Sequence, residues 1–129
     1  MTLLPITLST AAAAAVLNIW LSARVIGARR PLKISVGDGG SDAVLRRMRA
    51  HANFAEYAPI FLILLAAIEL GGGNPLALWI VAAAFILARI AHGLGMDEGS
   101  PKLLRMLGMM TTTVVTVGLA AYAVVLVLA

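Results

Sequence analysis

Four long apolar segments alternate with short polar or glycine-rich stretches along the chain. The segments run from about Leu4 to Ile26, from Ser41 to Leu70, from Pro75 to Gly95 and from Pro101 to Leu128. Each is at least as long as the roughly 20 residues that an α-helix needs to cross a bilayer. The pattern therefore predicts an all-α protein with four transmembrane helices, forming a single domain over residues 1–129.

Helix-breaking residues stand between these segments. Gly37-Asp38-Gly39-Gly40 lies before the second segment, and Gly71-Gly72-Gly73-Asn74 lies before the third. Ser41 or Asp42 can cap the second helix, because short polar side chains accept hydrogen bonds from free amides at a helix start. Pro75 and Pro101 suit first-turn positions of the third and fourth helices.

Composition supports a membrane protein. Hydrophobic residues make up 61% of the chain, and the mean hydropathy is +0.98, whereas soluble domains are about 45–50% apolar. The first segment has no Lys or Arg before Arg24, so it lacks the basic start of a signal peptide and is expected to be a retained helix. The chain has no cysteine, which excludes disulfides and cysteine-ligated metals.

The positive charges predict the orientation of the helices. The net charge is +4, but the Lys and Arg residues gather beside two of the three connections rather than over a soluble surface, which argues against nucleic acid as a partner. They are Arg24, Arg29, Arg30, Lys33, Arg46, Arg47 and Arg49 near the first connection, and Arg89, Lys102 and Arg105 near the third. Such clusters mark the cytoplasmic side. We expect both of these connections to be cytoplasmic and both termini to lie on the opposite side.

The second helix carries polar residues that a lipid-facing surface should not have. Arg49, Asn53 and Glu56, here called the polar stripe, are spaced four and three apart and fall within about 60° of one helix face. Ionisable groups within a membrane span are costly and usually face protein or a ligand. Anchoring at the headgroups explains Arg46 and Arg47 well, but it explains the deeper Asn53 and Glu56 poorly. The stripe therefore predicts a polar site.

Further arginines stand toward the same end of the other helices: Arg24 on the first, Arg89 on the third and Arg105 on the fourth. Arginine binds carboxylates and phosphates through two parallel hydrogen bonds and stays charged. Headgroup anchoring remains an alternative for Arg89 and Arg105 taken alone. Several arginines that converge with one carboxylate indicate an anionic ligand that also carries an amine.

The remaining ionisable residues give weaker indications of function. His51 and His92 do not share a metal-ligand spacing with each other or with Glu56, so no metal site is predicted. Glu69 lies beside Gly71 and is expected to be an exposed charge at the end of the second helix.

At these residues the chain resembles the MAPEG family, membrane-associated proteins in eicosanoid and glutathione metabolism. The likeness rests on the string from Arg49 to Pro59 (RAHANFAEYAP), on Arg89-Ile90-Ala91-His92, and on Arg105, sixteen residues after Arg89. The loop Val36–Gly40 is similar to that of a small bacterial branch of the family, the YecN-like inner-membrane proteins.

The resemblance implies a four-helix transmembrane bundle assembled as a homotrimer in the bacterial inner membrane. Glutathione, as co-substrate, would bind in the cytoplasm-side cleft between subunits, with Glu56 on its amine and the arginines on its carboxylates. Carried over residue by residue, the glutathione-binding residues would be Arg24, Arg49, His51, Asn53, Glu56 and Arg89. Arg105 would be the catalytic residue, because a guanidinium beside the glutathione sulfur favours its thiolate.

Two functions stay open. The first is an enzyme of the glutathione transferase or peroxidase type, acting on hydrophobic electrophiles or lipid hydroperoxides that enter from the membrane lipids. The second is a non-catalytic membrane protein of the same fold that binds a lipid headgroup or another small anion. The polar stripe favours the first. Met96, where the eicosanoid enzymes carry a tyrosine, and Met106, which has no hydroxyl, favour the second. A transporter is disfavoured, because the cations lie at one end and offer no polar path at the midplane.

Overall fold

The computed structural model describes residues 3–128, and in this part of the chain all the regular structure is helical. The elements are α1 (Pro5–Arg29), a 3₁₀ turn (Arg30–Leu32), α2 (Asp42–Leu70), α3 (Pro75–Gly95) and α4 (Lys102–Leu128). All four α-helices are long and apolar enough to cross a membrane. The predicted fold class is confirmed. The predicted domain limits of 1–129 include Met1, Thr2 and Ala129, which lie outside the described residues.

The helix starts follow the sequence closely. The Ser41 hydroxyl accepts a hydrogen bond from the Val44 amide at 3.4 Å and so caps α2 as predicted. Pro75 occupies the first turn of α3. The Asn74 side chain before it caps the same helix, accepting from the amide of Ala77 at 3.0 Å.

Two helix ends differ from the sequence-based limits. α1 continues past Ile26 to Arg29, and the Arg29 side chain then holds the following loop by donating from Nε to the Gly37 carbonyl at 3.0 Å. Cations can extend a membrane helix in this way, since their charged heads reach the polar interface. Pro101 precedes α4, which starts at Lys102, and is not part of its first turn.

The apolar core draws buried side chains from all four helices and includes Phe61 on α2 and Phe85 on α3. The rings of Phe61 and Phe85 stack with centroids 3.8 Å apart and an interplanar angle of 7°, and neither side chain is exposed. α2 and α3 each contact all three other helices. α4 packs closely on α3 at Gly108, where an added Cβ would lie 2.5 Å from the Ala88 carbonyl oxygen. This close approach brings Thr112, one turn further along α4, against α3.

Glu69 holds the start of α1 at the end of α2. Its carboxylate accepts hydrogen bonds from the Ile6 amide at 2.9 Å, and from the amide and hydroxyl of Thr7 at 2.8 and 2.7 Å. The first amides of a helix lack partners within it, and the residue before α1, Leu4, offers no side-chain cap. The expectation that Glu69 is a simple exposed charge is therefore wrong, because its carboxylate supplies the missing cap from another helix.

These contacts define two ends of the bundle. The turn end contains the Gly71–Asn74 connection, the start of α1 and the last turns of α4, where the Tyr122 hydroxyl accepts from the Asn74 amide at 2.8 Å. The basic end contains the 30–41 and 96–101 connections. The starts of α1 and α3, the end of α2 and the last turns of α4 thus meet at the turn end. Distances along each helix can be measured from there.

Replacing Glu69 tests this cap. Glu69→Ala removes all three acceptor contacts, and we expect the free energy of unfolding to fall by about 1 kcal/mol, as for loss of a helix N-cap. Glu98→Ala, at an exposed loop position, is the matched control and should leave the free energy of unfolding unchanged. Unfolding in detergent, followed by circular dichroism, measures both. Equal stability of the two variants would contradict a capping role.

Candidate functional site

A buried arginine joins three helices. Arg89 on α3 is 1% exposed. Its Nη2 donates to the Asn53 Oδ1 on α2 at 2.7 Å, and its Nη1 donates to the Thr112 hydroxyl on α4 at 3.3 Å. The Thr112 hydroxyl in turn donates to the Gly108 carbonyl at 2.8 Å. Asn53 and Arg89 were predicted as site residues and lie in direct contact, whereas sequence reasoning did not assign Thr112 to the site.

Arg89 is bound only by neutral groups. Its third neighbour is the Nδ1 of His92, 3.4 Å from Nη2, and its Nε atom has no hydrogen-bond partner. In residues 3–128 the ion pairs are those of Arg24 and Arg47 with Asp97, and neither involves Arg89. A buried charge without a counter-charge costs several kcal/mol. Arg89 therefore provides a strong local attraction for an anion.

The polar stripe divides between two environments. Asn53 is half-buried and turned toward Arg89, while Arg49 and Glu56 are exposed on the surface of α2 that faces away from the core. Ile60 and Ile63 continue that surface and are 55% and 63% exposed. The prediction that the three stripe residues share one side of α2 is consistent with this arrangement, in which Asn53 contacts the buried arginine and stands between the two exposed residues.

Glu56 and Arg89 stand at the same depth. Each lies about 21 Å along its helix from the turn end, at 1.5 Å per residue, and the Asn53–Arg89 hydrogen bond fixes this register. Both therefore lie inside the membrane-spanning part of the helices, where a charge on an exposed surface is unfavourable unless protein or a polar ligand covers it.

Arg105 borders a cavity at the basic end. The cavity has a volume of about 540 Å³ and is lined by His92, Lys102, Leu103, Arg105, Met106 and Met109. Arg105 is exposed there, and His92, whose ring contacts Arg89, connects the cavity to the buried arginine. Met106 is 52% exposed, and Met96 packs against the core. The cavity thus combines cations with apolar, flexible side chains.

Arg24 is engaged elsewhere. Its guanidinium forms an ion pair with Asp97 and donates to the Gly93 carbonyl at 2.8 Å, and it lies 4.7 Å from the centroid of the Trp20 ring. Arg47 donates to the other Asp97 oxygen at 3.0 Å. The structure thus places Arg24 in a cluster that joins α1, α2 and the α3–α4 connection, away from the Arg89 network.

His51 lies on another side of α2. It is two residues from Arg49, and two helical steps turn a side chain by about 200°. Its Nε2 is 2.9 Å from the Asn18 Oδ1 on α1. A groove of about 360 Å³ runs beside it between α1 and α2, lined partly by Ser22, Arg29 and His51. Within one chain, His51 and Arg49 therefore face different surfaces.

The arrangement suits an ion-binding site for an organic anion rather than a metal. Among residues 3–128, no group of three His, Cys, Asp or Glu side chains comes together as a metal site, and the absence of a metal in the working protein stays a prediction. Fixed cations, one exposed carboxylate and a bordering apolar cavity can hold an anion that carries an ammonium group and an apolar reactant beside it.

Comparison with known proteins identifies the family of the chain. The chain matches the MAPEG family model over residues 7–125. It is also 28% identical over 81 residues to the inner membrane protein YecN of Escherichia coli K12 and to its counterpart in E. coli O6:H1. These matches cover 63% of this chain and 62% of each relative. Because the family model covers most of the chain, this membrane protein belongs to the MAPEG family.

Proposed function

We propose that this chain is a glutathione-binding protein of the bacterial inner membrane and an enzyme of the glutathione transferase or peroxidase type. The observation that carries the proposal is the buried guanidinium of Arg89, which has no carboxylate partner in the described part of the chain and donates to Asn53, the stripe residue that stands between the exposed Arg49 and Glu56 on α2. The name of the E. coli relative supports the inner membrane as the location.

The charges of glutathione complement those of the site. The tripeptide carries two carboxylates, one ammonium group and a thiol. The exposed Arg49 suits a carboxylate, since guanidinium groups bind carboxylates through paired, charge-assisted hydrogen bonds, and the buried charge of Arg89 behind Asn53 adds electrostatic attraction for an anion. Glu56 suits the ammonium group. A simple phosphate would leave the Glu56 carboxylate without a cation.

The two surfaces of α2 imply a site between copies of the chain. Arg49 and Glu56 face one side and His51 faces another, so one small ligand can contact all three only when a second copy supplies one surface. A homotrimer with glutathione in each cleft between subunits meets this requirement, and it also covers the exposed charges at membrane depth. The proposed orientation places the basic end in the cytoplasm, where the thiol is available.

Arg105 is the residue proposed for catalysis. A guanidinium beside the sulfur stabilises the thiolate, which then attacks an electrophilic carbon of the acceptor. A carbon–sulfur bond forms, and the leaving group departs with its electron pair. The apolar part of the Arg105 cavity, formed by Leu103, Met106 and Met109, suits a hydrophobic acceptor that enters from the membrane.

The second function remains a candidate because of two methionines. Met96 packs against the core, and Met106 follows Arg105 without a hydroxyl. Neither offers a hydrogen bond to a thiolate, so Arg105 alone would have to stabilise it. In this alternative the same cations hold a lipid headgroup or another small anion, and no conjugation follows.

Two substitutions separate binding from catalysis. Glu56→Gln removes the charge that pairs with the ammonium group, and we expect glutathione affinity to fall about 10-fold or more. Arg105→Ala should leave affinity nearly unchanged but lower kcat for conjugation of an aryl chloride by about 100-fold. Calorimetry and product absorbance in detergent measure the two effects.

Arg46→Ala is the matched control for these substitutions, since Arg46 is an exposed arginine one turn before Arg49 and is expected only to anchor at the headgroups. Binding and turnover that stay at the wild-type level in both Glu56→Gln and Arg105→Ala would refute the proposal. Glutathione binding without turnover in the wild type would favour the non-catalytic alternative.

Arg89→Met tests the cost of the buried charge. Exchanging an unpaired buried charge for an apolar side chain of similar length is often neutral or stabilising. We expect the ligand-free variant to unfold at the wild-type temperature or above it, and to lose the stabilisation that glutathione gives the wild type. Thermal unfolding with and without glutathione measures both. A variant that is less stable yet still stabilised by glutathione would show that Arg89 is purely structural.

A further inference from the structure

Asn18 places an amide on an exposed surface of a membrane-spanning helix. It lies in the interior of α1 and is exposed in the subunit, with Ile19 beside it at 68% exposure. A polar side chain at such a position is unfavourable against lipid unless it has a partner. Neither the motif on α2 nor the arginines draw attention to it.

The partner of Asn18 is His51. With the Asn18 Oδ1 as acceptor at 2.9 Å, the His51 Nε2 carries a proton and donates it. A neutral ring then has an acceptor at Nδ1. The Asn18 Nδ2 keeps its two N–H donors for another group. The pair thus presents one donor and one acceptor side by side.

Asn18 lies at the level of the proposed site, whereas His51 lies further toward the basic end, about 28 Å along α2 from the turn end. Asn18 is about 20 Å along α1 from the turn end, and Glu56 and Arg89 are about 21 Å along their helices. The neighbouring groove between α1 and α2 continues toward the basic end past Ser22 to Arg29. Asn18, Ser22 and Arg29 recur at helical spacing on one face of α1, with the apolar Val25 between Ser22 and Arg29.

We propose that Asn18 is a specificity residue: together with His51 it binds a peptide group of the thiol ligand. Its Nδ2 donates to the peptide carbonyl, and the Nδ1 of His51 accepts from the peptide N–H. This inference rests on the proposed function and deepens it, because it names peptide thiols, rather than simple thiols, as the class that the site prefers. Asn18 also acts through His51 as a positioning residue, since it sets the tautomer of the ring.

The consequence is discrimination against ligands without a peptide group. A site built to hydrogen-bond a particular group rejects analogues that lack it, because its own polar atoms are left unpaired. Cysteine carries an amine, a carboxylate and a thiol, as the tripeptide does, but it has no peptide group. It is therefore a suitable probe for the contribution of Asn18.

The test compares Asn18→Leu with Ser9→Leu. Both exchange an exposed polar residue of α1 for leucine, but Ser9 lines a different groove, between α1 and α3. Calorimetry with glutathione and with cysteine should show a loss of about 10-fold in glutathione affinity for Asn18→Leu only. The affinity for cysteine should not change. An Asn18→Leu protein that binds glutathione within about 2-fold of wild type overturns the inference.

A spectroscopic measurement tests the positioning step without any ligand. The ¹⁵N chemical shifts of the His51 ring should show a protonated Nε2 in the wild type and in Ser9→Leu, and a mixture of tautomers in Asn18→Leu. Unchanged ring shifts in Asn18→Leu overturn the positioning role.

Failure of the inference differs from failure of the proposed function. If the wild type binds glutathione and Glu56→Gln weakens it, but Asn18→Leu does not, only the inference fails. If the wild type binds no glutathione, the proposed function fails and the assignment of a peptide ligand to Asn18 falls with it.

Discussion

The guanidinium of Arg89 is the interaction on which the rest of the site depends. It carries a permanent charge within an apolar bundle, and it reaches Asn53 on α2 and Thr112 on α4 from its place on α3. Three helices are therefore fixed at one depth by a single side chain. Because its partners are neutral, the charge is positioned but not neutralised. A group with this geometry rigidifies the bundle and attracts an anion at the same time.

The acidic residues are distributed so that this attraction is preserved. The chain has six of them. Glu69 caps α1 at the turn end, and Asp97 joins Arg24 and Arg47 at the basic end. Asp38 accepts from the Gly40 amide within its own loop at 2.9 Å. Glu56 is the acidic residue left at the depth of Arg89. Its carboxylate faces outward rather than toward Arg89, so the site keeps separate positive and negative surfaces.

The sequence predicted the elements well, because membrane helices are specified by local features. Hydropathy, glycine-rich breaks and the cap at Ser41 each act within a few residues, and the structure agrees with them. The Asn53–Arg89 contact could also be anticipated, since both residues belong to motifs expected to share one site. Contacts between distant residues outside these motifs could not be anticipated in this way.

Arg24 shows why. From the sequence it is one more cation at the end of a helix, and nothing local distinguishes it from the arginines expected to bind a ligand. Its pairing with Asp97, across most of the chain, depends on how α1 lies against the α3–α4 connection. Glu69 and Asn18 were missed for the same reason, because their partners lie on other helices. A polar residue deep in an apolar segment still indicates a polar contact, and Asn18 is such a residue.

The position of His51 has a consequence for assembly under the proposed function. One surface of the chain presents Arg49 and Glu56, and another presents His51 and Asn18, so a ligand that contacts both joins unlike surfaces of two copies. Contacts between unlike surfaces either close into a ring or continue as an open chain. In a closed ring every copy supplies each surface once, so the number of ligand sites equals the number of subunits. In a closed ring no charged surface of α2 faces lipid. An open chain would leave one such surface exposed to lipid at its end. The cost of exposing Arg49 and Glu56 to the bilayer thus favours the closed ring.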